Sequence, residues 1–175
     1  PNDRKKLSSD ALNKGARNRA VLDLFEPGST VKPFTVLAAM ENSKIFAESI
    51  IDTNPGYIQV DKKRIKDERN YGEIGLADLL KKSSNVGAIK LGLAVDPEDM
   101  HDLFSRVGFG QVVGTGVAGE SPGTLPVHKK SMRLERANFA IGYSLNASAL
   151  QIAQAYAVLA SDGLKRPITL LKTDK

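Results

Sequence analysis

Pro33 has no backbone N–H, and its ring fills space that the preceding helical turn needs. The apolar-periodic stretch from Ser29 to about Asn42 is therefore helical only if Pro33 lies near its start. Ser29 is then the N-cap or a first-turn residue. Phe34, Leu37 and Ala38 supply an i, i+3, i+4 face, and Met40 and Glu41 close it. A second strong start stands at Asp96-Pro97-Glu98-Asp99: an N-cap, proline at N1 and acids in the first turn. Met100, Leu103, Phe104 and Val107 form that helix's face, and Gly108 ends it.

Between them, Asn54-Pro55-Gly56 and a charged run make 43–74 a loop with short strands. A helix over about Leu76–Lys82 turns Leu76, Leu79 and Leu80 inward. Ser83-Ser84-Asn85 breaks it, because such side chains compete for the backbone. A third helix resumes with Val86, Ile89 and Leu93. Residues 108–127, rich in Gly and Pro, form a loop, and another helix starts near Ser131. Ser148 and Gln151 match a capping box. It opens a helix with Ile152, Ala155, Tyr156 and Leu159 inward and Gly163 at its end. Pro167–Lys172 reads as the opening of a strand. The expected fold class is α/β (α+β), mainly helical here, with little of the sheet it packs on.

The chain has 175 residues, 41% hydrophobic and 26% charged, the proportions of a globular domain or part of a larger one. Absence of Cys excludes a disulfide framework, a Cys-ligated zinc site and a Cys nucleophile. No apolar run reaches the ~18 residues of a membrane span. No signal peptide opens the chain, and Pro1-Asn2-Asp3-Arg4 reads as a cut. The net charge of +5 invites a nucleic-acid reading. The densest run, Asp61-Lys62-Lys63-Arg64-Ile65-Lys66-Asp67-Glu68-Arg69, mixes five bases with three acids and argues against it. That run reads as a solvated loop or exposed strand pair. The alternative is a modest basic surface facing an anionic substrate or lipid headgroups.

Gly114-Thr115-Gly116-Val117-Ala118-Gly119 spells G-x-G-x-x-G, but Glu120-Ser121-Pro122-Gly123 follows and cannot continue the helix a dinucleotide site requires. His101 and His128 have no ligand spacing, so neither a metal nor a cofactor is expected.

Ser29-Thr30-Val31-Lys32 carries the chemistry. At a helix start, residues i and i+3 share a face with Cβ atoms about 5–6 Å apart. A hydroxyl and an amine come within hydrogen-bond reach, and a neutral lysine can take the serine's proton if burial lowers its pKa. The helix N-terminus adds a backbone N–H and a positive dipole end for a developing oxyanion. Taken alone, S-x-x-K is weak, an N-cap beside a solvated lysine. The turn at Ser83-Ser84-Asn85 changes this, because it can present Ser83 to pass a proton and Asn85 to accept from an ammonium and donate to a carbonyl.

With both motifs in view, Glu26-Pro27-Gly28-Ser29-Thr30-Val31-Lys32-Pro33-Phe34 resembles the active-serine segment of class B penicillin-binding proteins of the septal type. Lys81-Lys82-Ser83-Ser84-Asn85-Val86-Gly87 resembles their second motif. Phe104–Gly110, Gly119-Glu120-Ser121, Leu134–Ala137 and Gly142-Tyr143-Ser144-Leu145 continue the likeness in order, and Leu150 through Gly163 completes it. Two departures stand out. The third motif, Lys-Thr-Gly on a strand, is missing, and Lys172-Thr173-Asp174 imitates it with an Asp that would repel a substrate carboxylate. The family's Gly-Tyr-Gly appears as Gly142-Tyr143-Ser144.

The resemblance implies a transpeptidase-like fold. Residues 1–175 are then a partial domain lacking the N-terminal anchor and pedestal and the C-terminal strand with the third motif. It implies peptidoglycan cross-linking through an acyl-enzyme, with Ser29 as nucleophile and Lys32 as base. Ser83 is then proton donor and Asn85 substrate holder, and the protein is a target of β-lactams. Stem peptides, β-lactams and division-machinery proteins are the implied partners. The implied location is the periplasm, held to the bacterial inner membrane by an anchor this chain lacks. The chain by itself is expected to acylate poorly. The rivals are a serine β-lactamase or D,D-carboxypeptidase, and a non-catalytic scaffold fragment.

Overall fold

The computed structural model describes residues 17–42 and 45–169. In chain order the elements are α1 (Arg19–Leu22), β1 (Leu24–Phe25), a 3-10 turn (Gly28–Val31), α2 (Lys32–Asn42), β2 (Ile50–Asp52) and β3 (Tyr57–Val60). β4 (Lys63–Lys66), β5 (Glu73–Gly75), α3 (Leu76–Lys81), α4 (Asn85–Ala94) and α5 (Pro97–Val107) follow, then α6 (Arg133–Ala140), β6 (Ala147–Ser148) and α7 (Ala149–Ala160). The strands form three two-stranded antiparallel pairs, β1–β6, β2–β5 and β3–β4. Helices dominate, as the apolar periodicities imply, and none among the described residues is long and apolar enough to cross a membrane.

Helix α2 is the central element. It packs on α4 and α5, while α4 packs on α6. Phe34 is fully buried, with its ring edge-on to Phe104 at 6.1 Å and Phe109 at 5.6 Å. Phe104 in turn meets Phe139 of α6 at 4.8 Å. Such aromatic pairs add about 0.5–1.5 kcal/mol each beyond their buried area. This cluster fixes the helix that carries the serine turn.

Pro33 sits at the second position of α2, where its missing N–H is tolerated. The turn before it is 3-10, so Ser29 is a turn residue and not a side-chain cap. Helix α5 begins at Pro97 and ends at left-handed Gly108 (φ 115°). The Asp96 side chain does not cap it and pairs instead with Lys130 at 2.6 Å. Helix α6 starts at Arg133, two residues after the expected Ser131, and α3 ends at Lys81. The capping box at Ser148 and Gln151 is present in both directions. Tyr156 corrects the expected inward face of α7. It is exposed, although its ring packs on Phe34 and its hydroxyl donates to Thr30 O at 2.9 Å.

The glycine-rich segment is a loop held by Glu120, whose carboxylate accepts from the N–H groups of Val113, Gly114 and Thr115. A side chain that fills the nest excludes the dinucleotide reading for this segment. His128 packs edge-on to Phe139. Residues 167–169 have no regular structure, and Lys172-Thr173-Asp174 lies outside the described residues.

Candidate active site

The serine turn is clamped from both sides. Thr30 Oγ1 donates to Pro27 O at 2.8 Å, and the Gly28 N–H donates to Gly142 O at 2.9 Å. Glu26 Oε1 accepts the Ser144 N–H at 3.0 Å. Gly142 must be glycine here. Its φ is +87°, and a Cβ there would lie 1.9 Å from Gly28 O. Pairing of β1 with β6 sets the same turn beside the start of α7. Ser29 stands on this support, exposed, with a hydroxyl that makes no side-chain hydrogen bond among the described residues.

One helical step later, Lys32 is only 2% exposed. Its ammonium has three donors and finds three acceptors: Ser83 O at 2.5 Å, Ser83 Oγ at 2.9 Å and Asn85 Oδ1 at 2.8 Å. None is a carboxylate. Burial pushes the Lys32 pKa down to about 8, against the opposing pull of the Asp67 carboxylate. At pH 7 about a tenth of Lys32 is then neutral.

Ser83 meets Lys32 twice because its backbone is left-handed (φ 52°), a conformation that costs a non-glycine residue about 1–3 kcal/mol. Ser84 is the true cap of α4, with its hydroxyl accepting from the Gly87 N–H at 2.9 Å. Asn85 is half-buried at the first position of α4, and its Nδ2 donates to Lys66 O at 3.1 Å. The second N–H of that amide is left for another acceptor. The four residues singled out from the sequence thus lie on two facing elements. Lys32, Ser83 and Asn85 are in direct contact, and Ser29 precedes Lys32 on the same helical edge. The expected Ser29–Lys32 hydrogen bond is not formed, because the ammonium's donors are all spent on Ser83 and Asn85.

Asp67 is the residue that sequence reasoning missed. It lies in the mixed-charge run read as solvated, yet it is 5% exposed. One oxygen accepts the N–H groups of Asn85 (2.5 Å) and Val86 (3.0 Å), and the other accepts the Ser84 hydroxyl (2.7 Å). It is the anion at the N-terminus of α4 and holds the Ser83–Asn85 turn against α2. An acid flanked by Lys66 and Glu68 in a charged run has no periodicity to mark it as buried. Asp67→Ala leaves three buried donors unsatisfied and is expected to cost about 3 kcal/mol. The denaturation midpoint should fall with the m-value unchanged.

A buried amine with a lowered pKa stands one helical step from an exposed hydroxyl and is braced by a carboxamide from a distant turn, an arrangement in which a neutral amine can take a hydroxyl's proton. The chain belongs to the penicillin-binding protein transpeptidase domain family, whose model matches residues 1–175. It is 39% identical over 166 residues to the peptidoglycan D,D-transpeptidase FtsI of Escherichia coli (strain K12), covering 95% of this chain and 28% of that protein. It is 39% identical over 163 residues to the protein of the same name from Buchnera aphidicola subsp. Schizaphis graminum, covering 93% of this chain and 28% of that protein. Among solved structures, the apo transpeptidase domain of Burkholderia pseudomallei penicillin-binding protein 3 superposes with a TM-score of 0.83 at 35% identity. That match covers 90% of this chain and 48% of the solved one. The chain thus spans 28% of these curated relatives and about half of that solved chain.

Proposed function

We propose that the protein carrying this chain is a peptidoglycan D,D-transpeptidase that cross-links stem peptides during septal cell-wall synthesis. In this reading, Ser29 attacks the carbonyl between the two terminal D-alanines, and neutral Lys32 takes its proton. Ser83 gives its hydroxyl proton to the departing D-alanine as its oxygen receives the proton now held by the Lys32 ammonium, which restores neutral Lys32. The bond from Ser29 Oγ to the carbonyl carbon forms as the carbon–nitrogen bond breaks. An amine of a neighbouring stem then displaces Ser29 from the acyl-enzyme. Asn85 orients Lys32 through Oδ1 and offers its free amide N–H to the substrate carbonyl. β-Lactams occupy the same site and trap Ser29 as an ester. The observation that carries this reading is the buried Lys32 ammonium held by Ser83 and Asn85.

The wider proposal follows the family. Residues 1–175 form the serine-bearing part of a transpeptidase domain whose Lys-Thr-Gly strand lies further along a longer polypeptide. That polypeptide works in the periplasm, anchored in the inner membrane among division proteins. The 175-residue chain alone then labels poorly.

Labelled penicillin tests this. The longest natural polypeptide containing the chain is expected to take up one stable label per molecule, and Ser29→Ala to take up none. Rapid hydrolytic turnover of the penicillin would transfer the protein to the β-lactamases. Rapid stoichiometric labelling of the isolated chain would overturn the proposed dependence on a further strand.

A further inference from the structure

Lys32 is a buried ammonium whose three acceptors, Ser83 O, Ser83 Oγ and Asn85 Oδ1, are all uncharged. Its counter-charge lies one residue further in. The buried Asp67 carboxylate accepts the Asn85 N–H, so Asn85 stands between the two charges, touching the amine with its side chain and the acid with its backbone. Asp67 is fixed there by the Asn85 and Val86 N–H groups on one oxygen and the Ser84 hydroxyl on the other. Ser84 Oγ itself accepts the Gly87 N–H, which leaves its hydrogen for Asp67. The other charges around this pair are exposed or engaged elsewhere. Glu68 is exposed beside Asp67, and Glu26, Lys63, Arg64 and Lys66, which line the cleft outside Asn85, are exposed as well, so solvent screens them. On the elements packed against α2, Arg106 of α5 pairs with Glu41 and Asp102, Lys82 after α3 pairs with Asp78, and Lys90 of α4 donates to Asp52 O. The Tyr156 phenol of α7 donates to Thr30 O. Asp67 is the charge whose pull on Lys32 opposes the effect of burial.

We propose that Asp67 is a positioning residue for the acyl transfer that acts through its charge as well as its hydrogen bonds: it favours the ammonium form of Lys32 and so fixes the pH above which the amine is free to act as base. This rests on the transpeptidase reading for the step that Lys32 performs. The charge has two opposed effects. It keeps a larger share of Lys32 protonated near neutrality, which withholds the base. It also stabilises the positive charge that Lys32 acquires on taking the Ser29 proton, which makes the neutral amine a stronger base. A residue that only braced the turn would change the rate by the same factor at every pH.

The longest natural polypeptide containing the chain is compared with its Asp67→Asn, Asp67→Ala and Asp67→Glu variants, at a temperature where circular dichroism shows them folded. Asp67→Asn keeps a carbonyl oxygen for the Asn85 and Val86 N–H groups, and its amide can donate to Ser84 Oγ. If one neutral variant does not fold, the other supplies the comparison. Acylation rate constants with a fluorescent penicillin are measured from pH 6 to pH 9 and scaled to each variant's own high-pH plateau. The neutral variants are expected to reach half their plateau about one pH unit below the wild type, so the scaled rate near pH 6 rises about tenfold. Their plateaus should fall, because the amine left behind is a weaker base. Asp67→Glu keeps the charge, and its midpoint should stay with the wild type whatever its absolute rate. In the Ser29→Ala background, where acylation is removed, lysine-selective NMR of the Lys32 Cε signal, assigned by its absence from Lys32→Arg, should show the same displacement. An unmoved midpoint in the neutral variants, or an equal displacement in Asp67→Glu, would overturn the proposal. Failure of the wild type to take up penicillin would instead overturn the transpeptidase reading, and the NMR titration would still decide what Asp67 does to Lys32.

Discussion

Lys32→Ala is expected to slow penicillin acylation about 10²–10⁴-fold, the usual loss when a general base is removed. The effect falls on the acylation step, because the exposed serine turn is held by Gly142, Glu26 and Tyr156 and not by Lys32. The pH profile gives the sign. In the proposed mechanism only the neutral amine takes the proton, and burial lowers the Lys32 pKa to about 8. The acylation rate should therefore rise about tenfold per pH unit below 8 and level off above it. Stability moves in the same direction. The folded pKa lies below the unfolded value of about 10.4, so the unfolded chain binds more protons between those limits and stability rises with pH there. Second-order rate constants measured with a fluorescent penicillin from pH 6 to pH 9 check the kinetic half. A flat profile would remove Lys32 from the role of base.

Gly142→Ala should be the most damaging single-methyl change in the site. The added Cβ meets backbone, not a side chain that can swing away. The residue also keeps a left-handed φ that alanine adopts poorly. Relief requires parting Gly142 O from the Gly28 N–H, which dislodges the turn bearing Ser29. A loss of about 3 kcal/mol or more is expected, seen as a melting temperature about 10 °C lower for a domain of this size. Penicillin labelling should fall with it, even at temperatures where the variant stays folded. Full labelling with unchanged melting would show that the loop yields more easily than its contacts imply.

The parts legible in the sequence were those written in local rules. Pro33, Asp96-Pro97 and the Ser148–Gln151 box specify helix starts within a turn of themselves, and the helices begin there or within a few residues. S-x-x-K and Ser83-Ser84-Asn85 are also local, and their conjunction was readable because each motif needs the other to make chemical sense. What stayed hidden depends on contacts between segments far apart in the chain. Asp67 looks like any acid in a charged run until α4 places three donors in front of it. Tyr156 falls on an apolar helical period yet lies at the rim, because its hydroxyl finds Thr30 O and its ring needs only one face covered. Gly142 reads as a loop glycine, and only the approach of Gly28 reveals why no side chain fits.

The most direct measurement locates the covalent bond itself. After incubation of the longest natural polypeptide with benzylpenicillin, tryptic digestion leaves Ala20–Lys44 as one peptide, since the Lys32–Pro33 bond resists cleavage. Tandem mass spectrometry should find the penicilloyl group on that peptide, at Ser29. An adduct on Ser83, on Lys32 or on any other peptide, or no adduct at all, would contradict the account.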